Sequence, residues 1–209
     1  MARNGVAEGR SRRRWVVAIG VWGGLLLSAE GMAGVASVPA TGQKDPYDAT
    51  RTTDEDGDLE KGVAWPSPRF SDRQDGTQLD KLTNLMWMQN AHCWGTMKWT
   101  DALDRVAAFN ARTVTTCTSG TTPTAVYTDW RLPSRLEMES LLDMGVATQP
   151  PLPSDHTFDV GSVEAASYWT STSDAADLSG DAWYVDLDTG AVGSDAKNRS
   201  YYFMLVRGR

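Results

Sequence analysis

The chain has 209 residues, 41% hydrophobic and 22% charged, a composition that excludes a fibrous or wholly disordered polymer and suffices for one ordinary domain or two small ones. Twenty Lys and Arg against 27 Asp and Glu give a net charge of −7, which excludes a protein held to nucleic acid through a basic surface. Nine Trp offer unusual aromatic area for core or binding surface, and two Cys allow at most one internal bridge.

The N-terminus departs most from this average. Arg10, Arg12, Arg13 and Arg14 precede an apolar run from Trp15 to Leu27, and small residues follow from Ser28 to Ala40. That is the layout of a secretory signal peptide over residues 1–40, with cleavage expected after Ala36 or Ala40. The run is shorter than the about 20 residues a membrane span requires, so no stable span is expected once it is removed. Export places Cys93 and Cys117 in an oxidising compartment, and with no CxxC or HxxxH spacing nearby they read as a structural disulfide. Closing a loop of that size is worth about 3 kcal/mol in the chain-entropy picture.

Residues 41–60 show neither helical nor strand periodicity and form an irregular acidic lead-in. Within it Asp54, Asp56 and Asp58 flank Glu55 and Gly57, a composition that can wrap a calcium ion; a solvated acidic turn is the simpler reading. No other cofactor is implied. From 61 to 209 a single domain is expected. Short strands are predicted over Arg69–Ser71, Thr77–Asp80 and Leu85–Gln89, with a hairpin turn at Asp75-Gly76. Thr100 is placed to cap a helix over Asp101–Ala111, and Thr113–Thr124 has the composition of a loop.

Ser134-Arg135-Leu136-Glu137 fits a capping box, with Met138, Leu141 and Leu142 as a buried face and Gly145 as a terminator, so a second helix is expected there. Three prolines between Thr148 and Asp155 impose an extended loop. Strands are predicted over Tyr168–Thr172, Ala182–Leu187 and Tyr201–Arg207, with a turn at Asp188-Thr189-Gly190. The sum is an α+β domain of two helices and short antiparallel strands. Trp87, Trp130, Trp169 and Trp183 sit in strand-like or corner sequence beside aliphatic residues and are expected in the core.

Eight strings in order carry a resemblance: Arg69-Phe70-Ser71-Asp72, Asp75-Gly76-Thr77, Leu82-Thr83-Asn84-Leu85-Met86-Trp87, Trp99-Thr100-Asp101-Ala102, Asp129-Trp130-Arg131-Leu132-Pro133, Tyr168-Trp169-Thr170-Ser171-Thr172, Ala182-Trp183-Tyr184-Val185 and Val206-Arg207-Gly208. Together they resemble the Lcl C-terminal domain family, long described as a domain of unknown function. The resemblance implies a C-type-lectin-like fold, related also to formylglycine-generating enzymes, in a bacterial protein that is secreted, periplasmic or surface-exposed. The adhesin that names the family binds sulfated polysaccharide as a trimer; this chain has no Gly-X-Y repeat, and past Ala40 it carries 15 basic against 25 acidic residues, a net −10 unsuited to sulfated glycans.

The expected function is therefore an exported, non-enzymatic recognition or adhesion module that binds a protein or glycan. The polar stretch near the C-terminus, with Asp174, Asp177, Ser194, Asp195, Lys197, Asn198, Arg199 and Tyr201, supplies the candidate ligand-binding residues, because a strand scaffold with adaptable polar loops can vary contacts without disturbing its core. The alternative is an enzyme on a formylglycine-generating-enzyme-like fold. That chemistry needs two reduced cysteines near the C-terminal part of the fold, whereas Cys93 and Cys117 flank the first helix. No motif couples a nucleophile to a histidine base, and no catalytic residue is assigned.

Overall fold

The computed structural model describes residues 38–44 and 55–208; residues 1–37 with the expected signal segment, and Asp54 of the acidic loop, lie outside the described residues. In the lead-in, Asp56–Leu59 form one helical turn, α1, where irregular chain was expected. Glu60 closes that turn in the left-handed region.

The strands β1 (Phe70–Asp72), β2 (Thr77–Asp80) and β3 (Leu85–Met88) form where alternation and turn residues place them, antiparallel, with Phe70 opposite Asp80 and Thr77 opposite Met88. Asp75 Oδ1 accepts bonds from both the N–H and the hydroxyl of Thr77, and Gly76 takes φ 82°, so the Asp-Gly turn is fixed by its own side chain. The fully buried Arg69 pairs with Asp80 through Nε and Nη2 at 2.9 and 2.7 Å, and Nη2 also donates to the Ser140 carbonyl at 2.6 Å. A bidentate pair removed from water holds because its lone pairs are also used by Leu82 N–H and the Thr83 hydroxyl.

The two-residue strand β4 (Met97–Lys98) leads into α2 (Trp99–Asn110), which starts before the expected Thr100 cap. Lys98 is the N-cap residue and makes no side-chain cap bond, so Thr100 lies inside the first turn. Trp99 N–H instead donates to the Lys197 carbonyl, and that tertiary bond satisfies the helix start in place of a hydroxyl. Ala102, Val106 and Phe109 make the buried stripe. Asn110 then reads both backbone groups of Trp130, donating to its carbonyl at 2.7 Å and accepting from its N–H at 2.9 Å. Cys93 and Cys117 are bonded across the intervening loop, with their Cα atoms 4.7 Å apart.

Ser134 and Glu137 make the capping box that opens α3 (Arg135–Glu139), which is shorter than the Gly145 terminator suggested. The Ser140 carbonyl is taken by Arg69, Asp143 N–H donates to Pro151 and Met144 N–H to Thr41, so the groups that would extend the helix are committed elsewhere.

The strands β5 (Ser167–Ser173), β6 (Asp181–Asp186) and β7 (Val192–Ala196) form a three-stranded antiparallel sheet. Strand β7 lies inside the stretch read as polar loop. Its Gly, Ser and Asp have weak strand preference, but the turn at Asp188-Thr189-Gly190 brings it into register with β6, Val185 opposite Val192 and Asp181 opposite Ala196. Asp186 Oδ1 holds that turn by accepting from Asp188 N–H, Thr189 N–H and the Thr189 hydroxyl.

The expected strand over Tyr201–Arg207 is split. β8 (Ser200–Tyr201) pairs with β4, Tyr202 bridges Tyr168, and β9 (Val206–Arg207) joins β3 at the edge of the first sheet. The chain changes partner along its length while side chains keep alternating: Phe203 and Leu205 enter one core cluster, Met204 and Val206 the other.

The two clusters lie on opposite faces of the β5–β6–β7 sheet. Tyr168, Val185 and Leu187 pack with Met138, Leu141 and Leu142 around α3, whereas Trp169, Ala182 and Tyr184 pack towards α2. Trp87, Trp130 and Trp169 are buried as expected. Trp183 is only partly buried: the Arg135 guanidinium of α3, 4.6 Å over its ring, covers it in place of apolar neighbours. Among the described residues no helix is long and apolar enough to cross a membrane.

Candidate functional site

The polar residues near the C-terminus come together in space, but most of them are engaged with one another. Asp177 Oδ1 accepts from Ser179 N–H, the Ser179 hydroxyl and Gly180 N–H, which closes the β5–β6 connection on itself. These bonds, led by the Gly180 N–H, hold the Asp177 carboxyl below the usual carboxylate range, and Ala176 N–H does the same for Asp174. Lys197 crosses the sheet end, donating to the Leu178 carbonyl at 2.6 Å and the Ser173 hydroxyl at 3.0 Å, with its ammonium 4.4 Å over the Trp99 ring.

On the neighbouring face the Tyr201 hydroxyl donates to Asp195 at 2.6 Å. Burial and that carboxylate push the Tyr201 hydroxyl up to about 12, and the same bond holds Asp195 down. Tyr201 packs between Trp169 and Tyr184, its ring 4.6 and 5.1 Å from theirs, so it is half-buried rather than a free contact residue, and Tyr202 is half-buried against Tyr168. Arg199 reaches Asp195 only at 3.9 Å and is exposed, as are Ser194 and Asn198. Of the eight candidates, Asn198 and Arg199 have side chains left for a ligand; the Ser194 hydroxyl is bonded to Asp174, and Asp174, Asp177, Asp195, Lys197 and Tyr201 hold the fold.

Asp56 and Asp58 stand on α1. The Thr41 hydroxyl donates to Asp56, Asp58 is exposed, and no group of three or more His, Cys, Asp and Glu is placed to hold a metal among the described residues. The Asp129 to Pro133 string is a structural corner: Asp129 pairs with Arg207 at 2.7 Å, and Arg131 grips Glu137 through two bonds of 2.7 and 2.6 Å. Burial alone would raise the Glu137 carboxyl, but Arg131 and the Ser134 N–H outweigh it and hold it low.

A different surface is unsatisfied. Val38, Leu136, Met144 and Val192, each exposed, line a groove of about 510 Å³ whose floor is Leu142 and whose rim includes Glu139 and Gly190. Apolar side chains left in water at one place cost about 25 cal/mol for each Å² that a partner would cover. The groove meets β7 at its first residue, Val192, and β7 is the outer strand of its sheet, whose alternate N–H and C=O groups face away from β6. Sequence reading missed it for a definite reason. Leu136 falls outside the Met138, Leu141, Leu142 stripe, and Val38, Leu136, Met144 and Val192 are far apart in the chain, so only the fold assembles them. The one available signal was an apolar Leu136 at the second position of an otherwise well-capped helix.

The Lcl C-terminal domain model matches residues 76–207, from the hairpin turn to β9. The chain belongs to the Lcl C-terminal domain family. No curated protein matches the chain. The matched span contains every element from β2 onwards, whereas α1, β1 and the chain through Val38–Thr41 precede it, so one wall of the groove is built from residues outside the family domain.

Proposed function

We propose that this protein is an exported recognition module of C-type-lectin-like fold that binds an extended segment of a protein partner along β7, with apolar side chains seated in the groove between Leu136 and Val192. The carrying observation is the juxtaposition of four exposed aliphatic or thioether side chains with an unpaired strand edge. A strand added to β7 would gain main-chain hydrogen bonds, and its side chains beside Val192 would meet the groove. The aliphatic lining favours protein over glycan, since sugar sites rely on aromatic faces and dense polar groups. With a net −10 beyond Ala40, a partner segment flanked by Lys or Arg is favoured over an acidic one.

Export is supported by the Arg-led apolar run and by the bonded Cys93 and Cys117. Of the two expected cleavage bonds we favour the one after Ala36. Val38 to Ala40 lie along Val63, with Val63 N–H donating to the Val38 carbonyl at 2.8 Å and Ala40 N–H to the Val63 carbonyl at 3.1 Å, and Trp65 Nε1–H donates to the Ala40 carbonyl at 2.8 Å. Cutting after Ala40 would remove those bonds and the Val38 wall of the groove. The bonded cysteines also weigh against the formylglycine-generating-enzyme-like alternative, whose chemistry requires two reduced thiols.

The test is selection of peptides from a displayed random library on the oxidised chain beginning at Ser37. Enrichment of sequences with apolar residues at alternate positions, lost on Leu136→Asp and Val192→Lys, is expected. Failure to enrich any such pattern, or equal capture by both variants, would overturn the groove. A glycan array bound equally by wild type and the Leu136→Asp chain would replace the protein partner with a sugar.

A further inference from the structure

We propose that Ser119, His92 and Glu164 form an acyl-transfer site that hydrolyses short-chain carboxylic esters, independent of the groove. The three residues are distant in sequence and no motif joins them, but the fold lines them up. His92 Nδ1 lies 3.1 Å from Glu164 Oε1, and Nε2 lies 3.1 Å from the Ser119 hydroxyl oxygen. A carboxylate can only accept, so Nδ1 carries the proton and Nε2 is left as the acceptor facing the hydroxyl. That polarity, acid orienting base and base facing nucleophile, is what nucleophilic acyl transfer requires.

Each member is held by its own local bonds. Thr118 and Ser119 N–H groups both donate to the Cys93 carbonyl, at 2.9 and 3.2 Å, beside the Cys93–Cys117 disulfide. Asn90 Nδ2 donates to the carbonyls of Ser119 and Thr121 at 2.7 and 2.9 Å, and its Oδ1 accepts from His92 N–H at 3.3 Å, so one buried side chain fixes both the nucleophile loop and the base. Glu164 N–H donates to the buried Tyr168 hydroxyl at 2.7 Å, and the Tyr202 ring lies along His92 with centroids 6.4 Å apart. Exposure is divided as the chemistry needs: Ser119 is open to solvent, whereas the His92 side chain is only 16% exposed.

Gly120 follows the nucleophile with φ 64°, and a Cβ there would meet Asn90 Nδ2 at 2.7 Å, so the position requires glycine. Its N–H has no partner among the described residues and is free to donate to an oxyanion, the role played in hydrolases by the residue after the serine. Thr118, Gly120 and Thr121 are exposed around Ser119, which suits a small acyl group better than a long chain.

The reaction balances with water as the only co-reactant. Ser119 Oγ bonds to the ester carbonyl carbon as its proton passes to His92 Nε2. The carbon–alkoxide bond breaks and that proton leaves with the alcohol, giving acyl-Ser119. Water, giving its proton to His92 Nε2, attacks the acyl carbon, and the Ser119 ester bond breaks to release the acid and restore the hydroxyl.

The full oxidised chain is treated with a fluorophosphonate and, separately, with p-nitrophenyl acetate. One covalent adduct, mapped to Ser119 by mass spectrometry, is expected, with hydrolysis at least 100-fold lower in Ser119→Ala and in His92→Gln. Glu164 is a positioning residue, and Glu164→Gln should lower kcat about tenfold at unchanged KM. Ser119 is exposed, so its alanine variant should fold, and circular dichroism checks that it does. An adduct on another residue, no adduct, or hydrolysis unchanged in Ser119→Ala would overturn the proposal, as would a variant that loses thermal stability but no rate, since the three residues would then only pin the loop.

Discussion

Two surfaces of this molecule invert the usual expectation that polar loops bind and apolar residues pack. At the end of the β5–β6–β7 sheet carrying Asp174 to Arg199, carboxylates and an ammonium are spent on backbone groups and on one another. At the groove beside Leu136 and Val192, apolar side chains stand in water while Arg135, a neighbour in sequence, is paired with Glu139 at 2.8 Å. A loop whose donors and acceptors are already matched gains little from a ligand, whereas exposed apolar area gains from any partner that covers it. Residue type alone therefore does not separate committed groups from open ones. What distinguishes the two is whether each group already has a partner.

The largest effect that would sharpen this contrast comes from beneath the polar end. Trp169 is fully buried, donates its Nε1–H to the Met97 carbonyl at 3.0 Å and supports Tyr201. Trp169→Ala should cost about 3 to 5 kcal/mol, read as a lower urea midpoint at unchanged slope. A loss under about 1 kcal/mol would mean that the aromatic stack does not support the polar end. Next comes Lys197. Replacing it with Ala removes bonds to Leu178 and Ser173 and the contact with Trp99, and should cost about 1 to 2 kcal/mol. An unchanged melting temperature would return Lys197 to the pool of free ligand contacts.

Acid should loosen the same end. Asp195, Asp177 and Asp174 all titrate below the usual carboxylate range because the Tyr201 hydroxyl, the Gly180 N–H and the Ala176 N–H, respectively, bond their charged forms. Their folded-state values are lower than in the unfolded chain, so the stabilisation is complete above the ordinary carboxylate value of about 4 and is lost as pH falls through the depressed ones. Hydrogen exchange at pH 3 against pH 6, corrected for intrinsic rates, should show Ser179, Gly180 and Ala196 amides losing protection before those of β2 and β3. Equal loss in both places would mean that the carboxylates do not hold the end together.

How much of this was legible in sequence follows from how local each signal is. The Asp75-Gly76 hairpin, the Ser134/Glu137 capping box, the Asp188-Thr189-Gly190 turn and the bonding of Cys93 to Cys117 depend on residues that act on their own neighbourhood or on the presence of just two thiols, and all appear as read. The start of α2, the early end of α3 and the splitting of the last strand depend on distant groups: the Lys197 carbonyl, Arg69 and the switch from β4 to β3. Trp183 was misplaced because strand alternation gives the face and not the side chain that covers it, which is the Arg135 guanidinium. The groove and the alignment of Ser119, His92 and Glu164 are wholly non-local, so no pattern of spacing carried them.

The smallest stability effect belongs to the groove and is the most discriminating. Leu136 is 69% exposed on α3, and its side chain contributes area to the groove rather than to the core. Exchanging it for Ser removes apolar surface that folding does not bury, so stability should move by no more than about 0.5 kcal/mol. Binding of an apolar dye such as anilinonaphthalene sulfonate should nevertheless fall several-fold, because the dye reports exposed apolar area directly. The matched control is Val126→Ser, since Val126 is 70% exposed but outside the groove. It should alter neither stability nor dye binding. If Leu136→Ser destabilised the fold by 2 kcal/mol or more, the residue would be packing partner rather than open surface. If dye binding fell equally in both variants, the groove would be no more accessible than any scattered exposed side chain, and the contrast between the two surfaces would collapse.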